Sequence, residues 1–330
     1  MPEAFLQLSP EEQADILQTC AGKFGRRAEY LEKDIWICWV LQGLFGMPGR
    51  LPMAFKGGTS LSKVYGAIRR FSEDIDVTIE YKSLDQSIDP FDPKVSRTAR
   101  EKYTQLLRDK LADHTSNVIR PHFENLLTQL GEKPTAPLKI SEDGEKLLIP
   151  YPSRFGKDES VLLEFGGRNV ITPNEDHPLR PYIATEVRDL RFPEAKVRVL
   201  SPSRTFWEKA TLIHVACNRS DPKLDADRQS RHWHDVAVLA DHKIGKTSIA
   251  DRQLLEDVVK HKNIFFRASY TNYEACLSGS FRLIPGKALL EALRVDYEKM
   301  IADGMFEGDP PSFDSIIARL EKLEKQINAR

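Results

Sequence analysis

Two adjacent glycines, Gly57 and Gly58, separate a short strand pattern at residues 53–56 from a helix pattern at 59–68. A second strand is predicted at 75–79, where apolar and charged residues alternate. Glycine at such a junction lets the backbone turn sharply and approach a ligand closely. The simplest explanation of the glycine pair is a tight strand-to-helix turn in which glycine is needed for packing. The functional explanation is a binding site for an anion.

Asp74 and Asp76 lie at the start of the second predicted strand, two positions apart. Side chains two apart on a strand point to the same face, so these carboxylates repel each other unless a cation lies between them. Such oxygen ligands suit Mg²⁺, which proteins hold with one or two carboxylates together with substrate phosphates. Alone, an acidic pair is more often a surface feature. The preceding glycine turn favours a site for a nucleoside triphosphate (NTP) and its metal ions.

The same turn is predicted to bind the phosphates. A helix that begins after it offers unpaired N–H groups to an anion, and nearby hydroxyls can donate further hydrogen bonds. The predicted phosphate-binding residues are Gly57, Gly58, Thr59, Ser60 and Lys63.

A third carboxylate would complete a two-metal site, and Glu164 is the candidate because it ends an apolar run where a charge is costly. An edge-strand glutamate that faces water explains Glu164 equally well. Lys209 can neutralise phosphate oxygens, although a lysine reaching from apolar neighbours to solvent is the simpler explanation. Asp235 precedes four apolar residues and needs a cation, which Lys209 or Arg231 can supply.

Composition narrows the class of protein. The chain has 330 residues and a net charge of −1, so any contact with nucleic acid requires a local basic patch. The four cysteines lack a CxxC spacing, which suits reduced thiols rather than disulfides. We find no signal-peptide pattern and no apolar run of the ~18 residues that span a bilayer, so a cytoplasmic protein without membrane association is expected.

Hydrophobic periodicity predicts an α+β fold with a helical second half. Helices are expected at 9–24, 28–45, 59–68, 94–130 (one helix or a pair), from 201, and at 230–241, 248–261, 286–302 and 312–328. Strands are expected at 53–56, 75–79, 146–149, 160–165 and 196–200. The proline-rich stretch 173–195 is expected to be a surface connection. The predicted domains are 1–200, a catalytic core with N-terminal helices, and 201–330, a helical domain.

Four motifs, in this order, resemble those of AbiEii/AbiGii-type nucleotidyltransferase toxins. They are KGGTSLSK at 56–63, RFSEDID at 70–76, WEKA at 207–210 and RHWHD at 231–235. Residues 32–35 are similar to the start of the leading helix of that family. The resemblance covers roughly 28–240, and four ordered motifs are more specific than any single one.

The resemblance implies a DNA polymerase β-like nucleotidyltransferase core with a mixed sheet, and transfer from an NTP that requires Mg²⁺, with two ions expected. The family contains toxins of toxin–antitoxin and phage-defence systems, each neutralised by a separately encoded antitoxin. Its MenT-type members add nucleotides to the 3′ end of tRNA, so a tRNA or other RNA acceptor is expected here.

By motif position, the resemblance also assigns individual residues. Asp74 and Asp76 would bind metal, Gly58 and Ser60 would contact phosphate, and Lys209 and Asp235 would complete the catalytic site. Ser72 matches a hydroxyl position that some relatives phosphorylate, which inactivates them.

The expected reaction is in-line attack of an RNA 3′-hydroxyl on the α-phosphorus, with Asp74, Asp76 and Glu164 binding the metal ions. One alternative is transfer to a small molecule or to a protein hydroxyl, which the near-neutral charge favours. Another is a non-catalytic protein of the same fold that binds NTP or a partner. The intact glycine pair and acidic pair argue against that second alternative.

Overall fold

The computed structural model describes residues 3–131, 136–156, 159–221 and 227–329. The chain divides into two compact units. Unit 1 comprises Met1–Val64, Ser72–Asp89 and Lys102–Leu200. Unit 2 comprises Tyr65–Phe71, Pro90–Glu101 and Ser201–Arg330, so two short segments from within the predicted 1–200 core belong to it.

Unit 1 contains the β-sheet. Its elements in chain order are β1 (Glu3–Ala4), α1 (Pro10–Phe24), α2 (Ala28–Phe45), β2 (Met53–Lys56), α3 (Gly57–Lys63), β3 (Ile75–Glu80), α4 (Tyr81–Leu84), α5 (Arg97–His114, which starts in unit 2), α6 (Arg120–Leu130), β4 (Lys139–Ile140), β5 (Lys146–Tyr151), β6 (Glu159–Asn169), β7 (Asn174–Leu179), β8 (Leu190–Arg191) and β9 (Ala195–Leu200).

Seven of the described strands form one mixed sheet in the order β4-β5-β6-β3-β2-β9-β7. The central strand β3 pairs antiparallel with β2 and parallel with β6. β1 and β8 form a separate parallel pair. With the helices that follow, this confirms the α+β class, the mixed sheet and the helical second half.

The first two helices form where the sequence predicts them. Ser9 and Glu12 form a capping box, in which the Ser9 backbone N–H donates to Glu12 Oε2 at 2.9 Å. Most residues of α2 are buried, including the acidic Glu32 and Asp34. Since buried carboxylates require partners, this helix is tied to its surroundings by polar contacts as well as by packing.

Two predictions in unit 1 are wrong. Helix α3 ends at Lys63 rather than at 68, and Gly66 beyond it has a φ of 56°. The stretch 173–195 is not only a connection, because β7 pairs antiparallel with β9 at the sheet edge. Its sequence, NEDHPL, contains a proline and several polar residues, which is typical of edge strands and weak as a strand pattern. The predicted 94–130 helix is α5 and α6, joined by a π-helical turn at Thr115–Ile119.

Unit 2 is helical, with α7 (Pro202–Asn218), α8 (Ser230–Asp241), α9 (Lys243–Ala250), α10 (Arg252–Phe265), α11 (Lys287–Ala302) and α12 (Phe313–Asn328). Its core contains Trp207 and Trp233, whose indole N–H groups donate to backbone carbonyls. The single helix predicted at 248–261 is wrong. The chain breaks at Asp251, whose side chain accepts from the Leu254 N–H and so starts α10.

Among the described residues, no helix combines the length and apolar character that crossing a membrane requires.

Candidate active site

Gly57 begins α3 directly after β2 and has a φ of 80°, a conformation that side chains with a Cβ rarely adopt. A Cβ on Gly57 would also collide with Oδ2 of Asp76. Both observations require glycine here. The carboxylate of Asp76 therefore lies against the backbone of the predicted phosphate-binding turn.

The two hydroxyl residues of the turn are buried and bonded to the backbone. Thr59 Oγ1 donates to the carbonyl of Asp74 at 2.6 Å, and Ser60 Oγ donates to the carbonyl of Gly57 at 2.9 Å. The Thr59 bond holds α3 against the residue that precedes β3. Because these hydroxyl protons are used internally, donation to phosphate from this turn would come from backbone N–H groups.

Three predicted carboxylates lie in this part of unit 1. Asp76 on β3 is the register partner of Glu164 on the parallel strand β6, so their side chains point to the same face. Asp74 immediately precedes β3, and all three residues are partly exposed. Unit 1 therefore places Asp76 against the glycine turn and beside Glu164 of the neighbouring strand, with Asp74 two residues before Asp76.

Glu164 already has a cationic partner. Lys146 on β5 places its Nζ 2.5 Å from Oε1 of Glu164. This hydrogen bond, together with the charges of Glu164 and Asp74, raises the pKa of Lys146. A metal ion at Glu164 would have to compete with this lysine.

The donor atoms of this region are carboxylate oxygens, the type that Mg²⁺ prefers. Within the part of the chain that the structure describes, no three His, Cys, Asp or Glu side chains form a group that could hold a metal ion. Mg²⁺ commonly needs only one or two protein carboxylates when substrate phosphates supply the remaining ligands. Asp74 and Asp76 therefore fit a metal that arrives with an NTP, and do not form a closed protein cage.

Lys63, predicted to bind phosphate, is engaged elsewhere in unit 1. Its ammonium forms a buried ion pair with Asp34 on α2 at 2.5 Å and lies 4.0 Å from the centre of the Tyr182 ring. Burial opposes the charged form, but the negative charge of Asp34 raises the pKa of Lys63 overall. These contacts describe a structural lysine. The contact of Lys63 with phosphate stays a prediction, and its pairing with Asp34 does not support that prediction.

A lysine of α2 pairs with the residue that precedes Asp74. Lys33 Nζ lies 2.7 Å from Oε2 of Glu73, the residue before Asp74. No role was predicted for Lys33, although the similarity of residues 32–35 to the leading helix of a known family was a signal that this part of the helix matters.

Lys209 and Asp235, both predicted site residues, are brought together in unit 2. Asp235 on α8 is 0% exposed, and its Oδ2 lies 3.0 Å from Lys209 Nζ on α7. Lys209 was one of two cations predicted to pair with Asp235, and this pairing is confirmed.

The principal partner of Asp235 was missed. Arg70 donates two hydrogen bonds to it, from Nε to Oδ1 at 2.7 Å and from Nη2 to Oδ2 at 2.8 Å. Burial alone would raise the pKa of Asp235, but the charges of Arg70 and Lys209 hold it well below its usual range. Arg70 is the first residue of the RFSEDID motif, but the sequence contains many basic residues and does not show which of them pairs with Asp235.

The segment that carries Arg70 is fixed within unit 2. The Phe71 N–H donates to the carbonyl of Met305 at 2.7 Å, and the Glu307 N–H donates to the carbonyl of Arg69 at 3.0 Å. Backbone pairing on both sides of Arg70 thus sets the direction of its side chain towards Asp235.

Comparison with known proteins identifies the family to which this chain is matched. A family model described as nucleotidyl transferase AbiEii toxin, type IV TA system, matches residues 39–319, which is most of the chain. Among curated proteins, none matches. The chain is similar to a solved structure of MenT4, a nucleotidyltransferase toxin from Mycobacterium tuberculosis H37Rv, with 13% identity, a TM-score of 0.45 and coverage of 98% of each chain.

Proposed function

The chain belongs to the AbiEii family of nucleotidyltransferase toxins of type IV toxin–antitoxin systems, and we propose that it transfers a nucleotide from an NTP to the 3′ end of an RNA, with tRNA as the acceptor. Membership makes the chain a nucleotidyltransferase, with a nucleotide substrate and an antitoxin partner. The observation that carries the donor half of the proposal is the Asp76 carboxylate against the Gly57 turn. The acceptor half rests on the resemblance to tRNA-modifying relatives.

Mg²⁺ is the proposed cofactor, with two ions. Asp74 and Asp76 would hold it together with phosphate oxygens, and Glu164 is the proposed third ligand, in competition with Lys146. When bound, the ions would activate the attacking hydroxyl and stabilise the pyrophosphate that leaves.

The residues of unit 1 would position the triphosphate. Gly57 keeps the backbone close to Asp76, and the Thr59 bond fixes the carbonyl of Asp74. Backbone N–H groups at Gly58 and Ser60 would bind phosphate oxygens. In the reaction, a bond forms between the RNA 3′ oxygen and the α-phosphorus while the bond to the leaving pyrophosphate breaks, and prior alignment of these atoms lowers the barrier.

Lys209 and Asp235 are proposed to act in the same reaction in different ways. Lys209 retains a little exposure at 9%, so its ammonium can supply positive charge to phosphate oxygens. Asp235 has no exposed surface, so we assign it a positioning role that acts through Lys209 and Arg70.

Ser72 is the proposed regulatory hydroxyl. It is partly exposed and lies two residues before Asp74. A phosphate on Ser72 would add about two negative charges beside a proposed metal site and would repel the triphosphate.

The proposal is tested by nucleotide transfer. Wild-type protein is incubated with Mg²⁺ and each of the four labelled NTPs, together with total tRNA, mixed proteins or small hydroxyl acceptors. We expect label on tRNA and release of pyrophosphate, both lost in Asp74→Ala and Asp76→Ala. Transfer by both variants at the wild-type rate would contradict the proposed site.

The reactions with different acceptors distinguish the proposed RNA acceptor from the alternative functions. Label on protein or on a small molecule, with none on tRNA, would replace the RNA acceptor. Binding of Mg²⁺–NTP without pyrophosphate release in every arm would support a non-catalytic protein. Induction in a bacterial host tests the toxin or phage-defence role, because we expect growth arrest from the wild-type protein and none from Asp74→Ala.

A further inference from the structure

Unit 2 contains a polar pocket of about 310 Å³ that none of the predicted site residues lines. Arg97 in the first turn of α5 forms one side, and the end of α10 with the loop that follows it forms the other. Its polar lining residues include Arg97, Asn263, Arg267, Ser269, Asn272 and Glu274. Two guanidinium groups and two side-chain amides therefore line one cavity.

The loop after α10 is held in one conformation. The backbone N–H of Arg282 donates to Nδ1 of His214, which leaves Nε2 to carry the proton and donate to the carbonyl of Asn272 at 3.0 Å. Burial lowers the pKa of His214, which favours this neutral form. Thr271 Oγ1 donates to the carbonyl of Ala268 at 2.9 Å, and Asn272 has a φ of 45°, which asparagine tolerates better than most residues.

The other side of the pocket is also anchored within unit 2. Phe91 packs against His261 and Phe265 of α10, with ring centroids 6.1 Å apart in each case. Arg100 donates to the carbonyls of Pro90 and Asp92 at 2.8 and 2.9 Å. Since both sides are fixed, the cavity is largely formed before any ligand arrives, which is typical of binding sites.

Charge distinguishes this region from the chain as a whole. Residues 90–101 and 260–274 contain six Lys and Arg against three Asp and Glu, whereas the whole chain has a net charge of −1. Arg97 pairs with Glu101 at 2.8 Å, but its side chain is 81% exposed. Because exposed pairs of this kind contribute little, phosphate oxygens can replace the carboxylate at low cost.

An exposed aromatic side chain in the loop that lines the pocket favours a nucleic acid over a free phosphate as the ligand. Tyr270 lies in the same loop, is 37% exposed, and has the guanidinium of Arg219 4.7 Å from its ring centre. Exposed aromatic and guanidinium planes bind unstacked bases, while basic side chains bind the phosphates between them.

We propose that this pocket binds a backbone phosphate of the RNA acceptor through Arg97 and Arg267, with an adjacent base stacked on Tyr270. The inference rests on the proposed function in taking RNA as the acceptor. It adds the place where that RNA is held, a site that supplies binding and takes no part in the chemistry.

Binding to total tRNA in the absence of NTP provides the test. For the double variant Arg97→Ala/Arg267→Ala, we expect a Kd at least about tenfold weaker and a salt dependence of log K that is shallower by about one, because the contact with one phosphate is lost. Glu274→Gln removes a negative charge from the pocket and should tighten binding. Arg319→Ala is the matched control, since Arg319 in the same unit is 40% exposed and pairs with Asp241.

The charge-conserving variant Arg97→Lys/Arg267→Lys should keep most of the salt dependence. Tyr270→Ala should weaken binding to tRNA, and Tyr270→Phe should not. A double alanine variant with the wild-type Kd and salt slope would overturn the proposal. So would a loss of binding to inorganic phosphate without a loss of binding to tRNA.

Nucleotide transfer separates this inference from the proposed function. If wild-type protein labels tRNA, the double alanine variant should show a raised KM for tRNA and an unchanged kcat, and an unchanged KM would overturn the pocket alone. If wild-type protein labels no RNA while tRNA binding still depends on the two arginines, the proposed function fails and the pocket stands.

Discussion

Carboxylates are used in opposite ways in the two units. In unit 1, Asp76 and its register partner Glu164 remain partly exposed beside a glycine turn. In unit 2, Asp235 is 0% exposed and bonded to Arg70 and Lys209. Both regions contain motif residues, so motif membership alone does not say which acid meets a ligand.

The difference shows how the environment assigns a role to an aspartate. A partly exposed carboxylate against a tight turn can take a metal ion and phosphates as ligands. A buried carboxylate between two cations already has its hydrogen bonds satisfied, and removing it leaves the cations without compensation. Loss of an acid in unit 1 should therefore reduce activity, and loss of Asp235 should reduce stability as well.

Asp76→Asn should have the largest effect on catalysis. The amide keeps the shape but loses the charge that holds the metal, so we expect kcat for nucleotide transfer to fall about 10³-fold or more. The free energy of unfolding should change by no more than about 1 kcal/mol. Asp176→Asn, at a 41% exposed acid of β7, is the control and should leave both quantities unchanged. If Asp76→Asn greatly reduced stability and kept its activity, Asp76 would have a structural role like that of Asp235, and the proposed difference between the units would be wrong.

Asp235→Asn should have the largest effect on stability. It leaves Arg70 and Lys209 buried without their counter-charge, which costs about 3–5 kcal/mol when a buried pair loses one partner. Urea unfolding measures this cost. A double variant, Arg70→Met with Asp235→Leu, should recover part of it because both charges of the principal pair are removed. Wild-type stability in Asp235→Asn would contradict the positioning role.

Gly57→Ala tests whether activity depends on the close approach of Asp76 to the glycine turn. Its strained φ costs roughly 1–2 kcal/mol, and the added Cβ displaces the Asp76 carboxylate, for which we expect about a 10²-fold loss of kcat/KM. Gly49→Ala is the matched control, because Gly49 has a φ of 67° and no atom within 4 Å of an added Cβ. Equal activities for the two variants would show that the approach of Asp76 to the turn does not matter.

The smallest expected effect concerns pH. Burial holds the pKa of His232 well below its usual value, and the positive charges of Lys209, Arg231 and Arg70 lower it further. The negative charge of Asp235 opposes this shift only in part. The unfolded chain therefore takes up a proton at His232 near pH 6.5 while the folded chain does not, so stability falls as pH drops below about 6.5. Asp235 contributes nothing to this change, since its lowered pKa keeps it charged down to much lower pH.

Urea unfolding at pH 7.5 and 5.5 measures the effect. His232→Gln should show a smaller loss of stability between the two values than the wild type. An identical loss in both proteins would assign the pH dependence to other groups.

Local chemistry made much of unit 1 predictable. The helix that starts near residue 9, the glycine turn after β2 and the strand at 75–79 are each set by signals within a few neighbouring residues, and each forms as expected. Errors occurred where local signals were weak or misleading. The polar edge strand β7 lacks an apolar alternation, and the 248–261 pattern did not reveal that Asp251 would cap a new helix.

The glycine turn and the acidic pair were determined by the sequence itself, because a glycine with positive φ and two carboxylates two positions apart at the start of a strand follow from neighbouring residues. Only the tertiary structure decided which cation each acid meets. Asp235 takes Arg70 from 165 positions away, and Lys63 turns to Asp34 rather than to a ligand. Ion pairing depends on distance in space and on burial, and a chain with 48 basic and 49 acidic residues offers too many equivalent choices for its sequence to make.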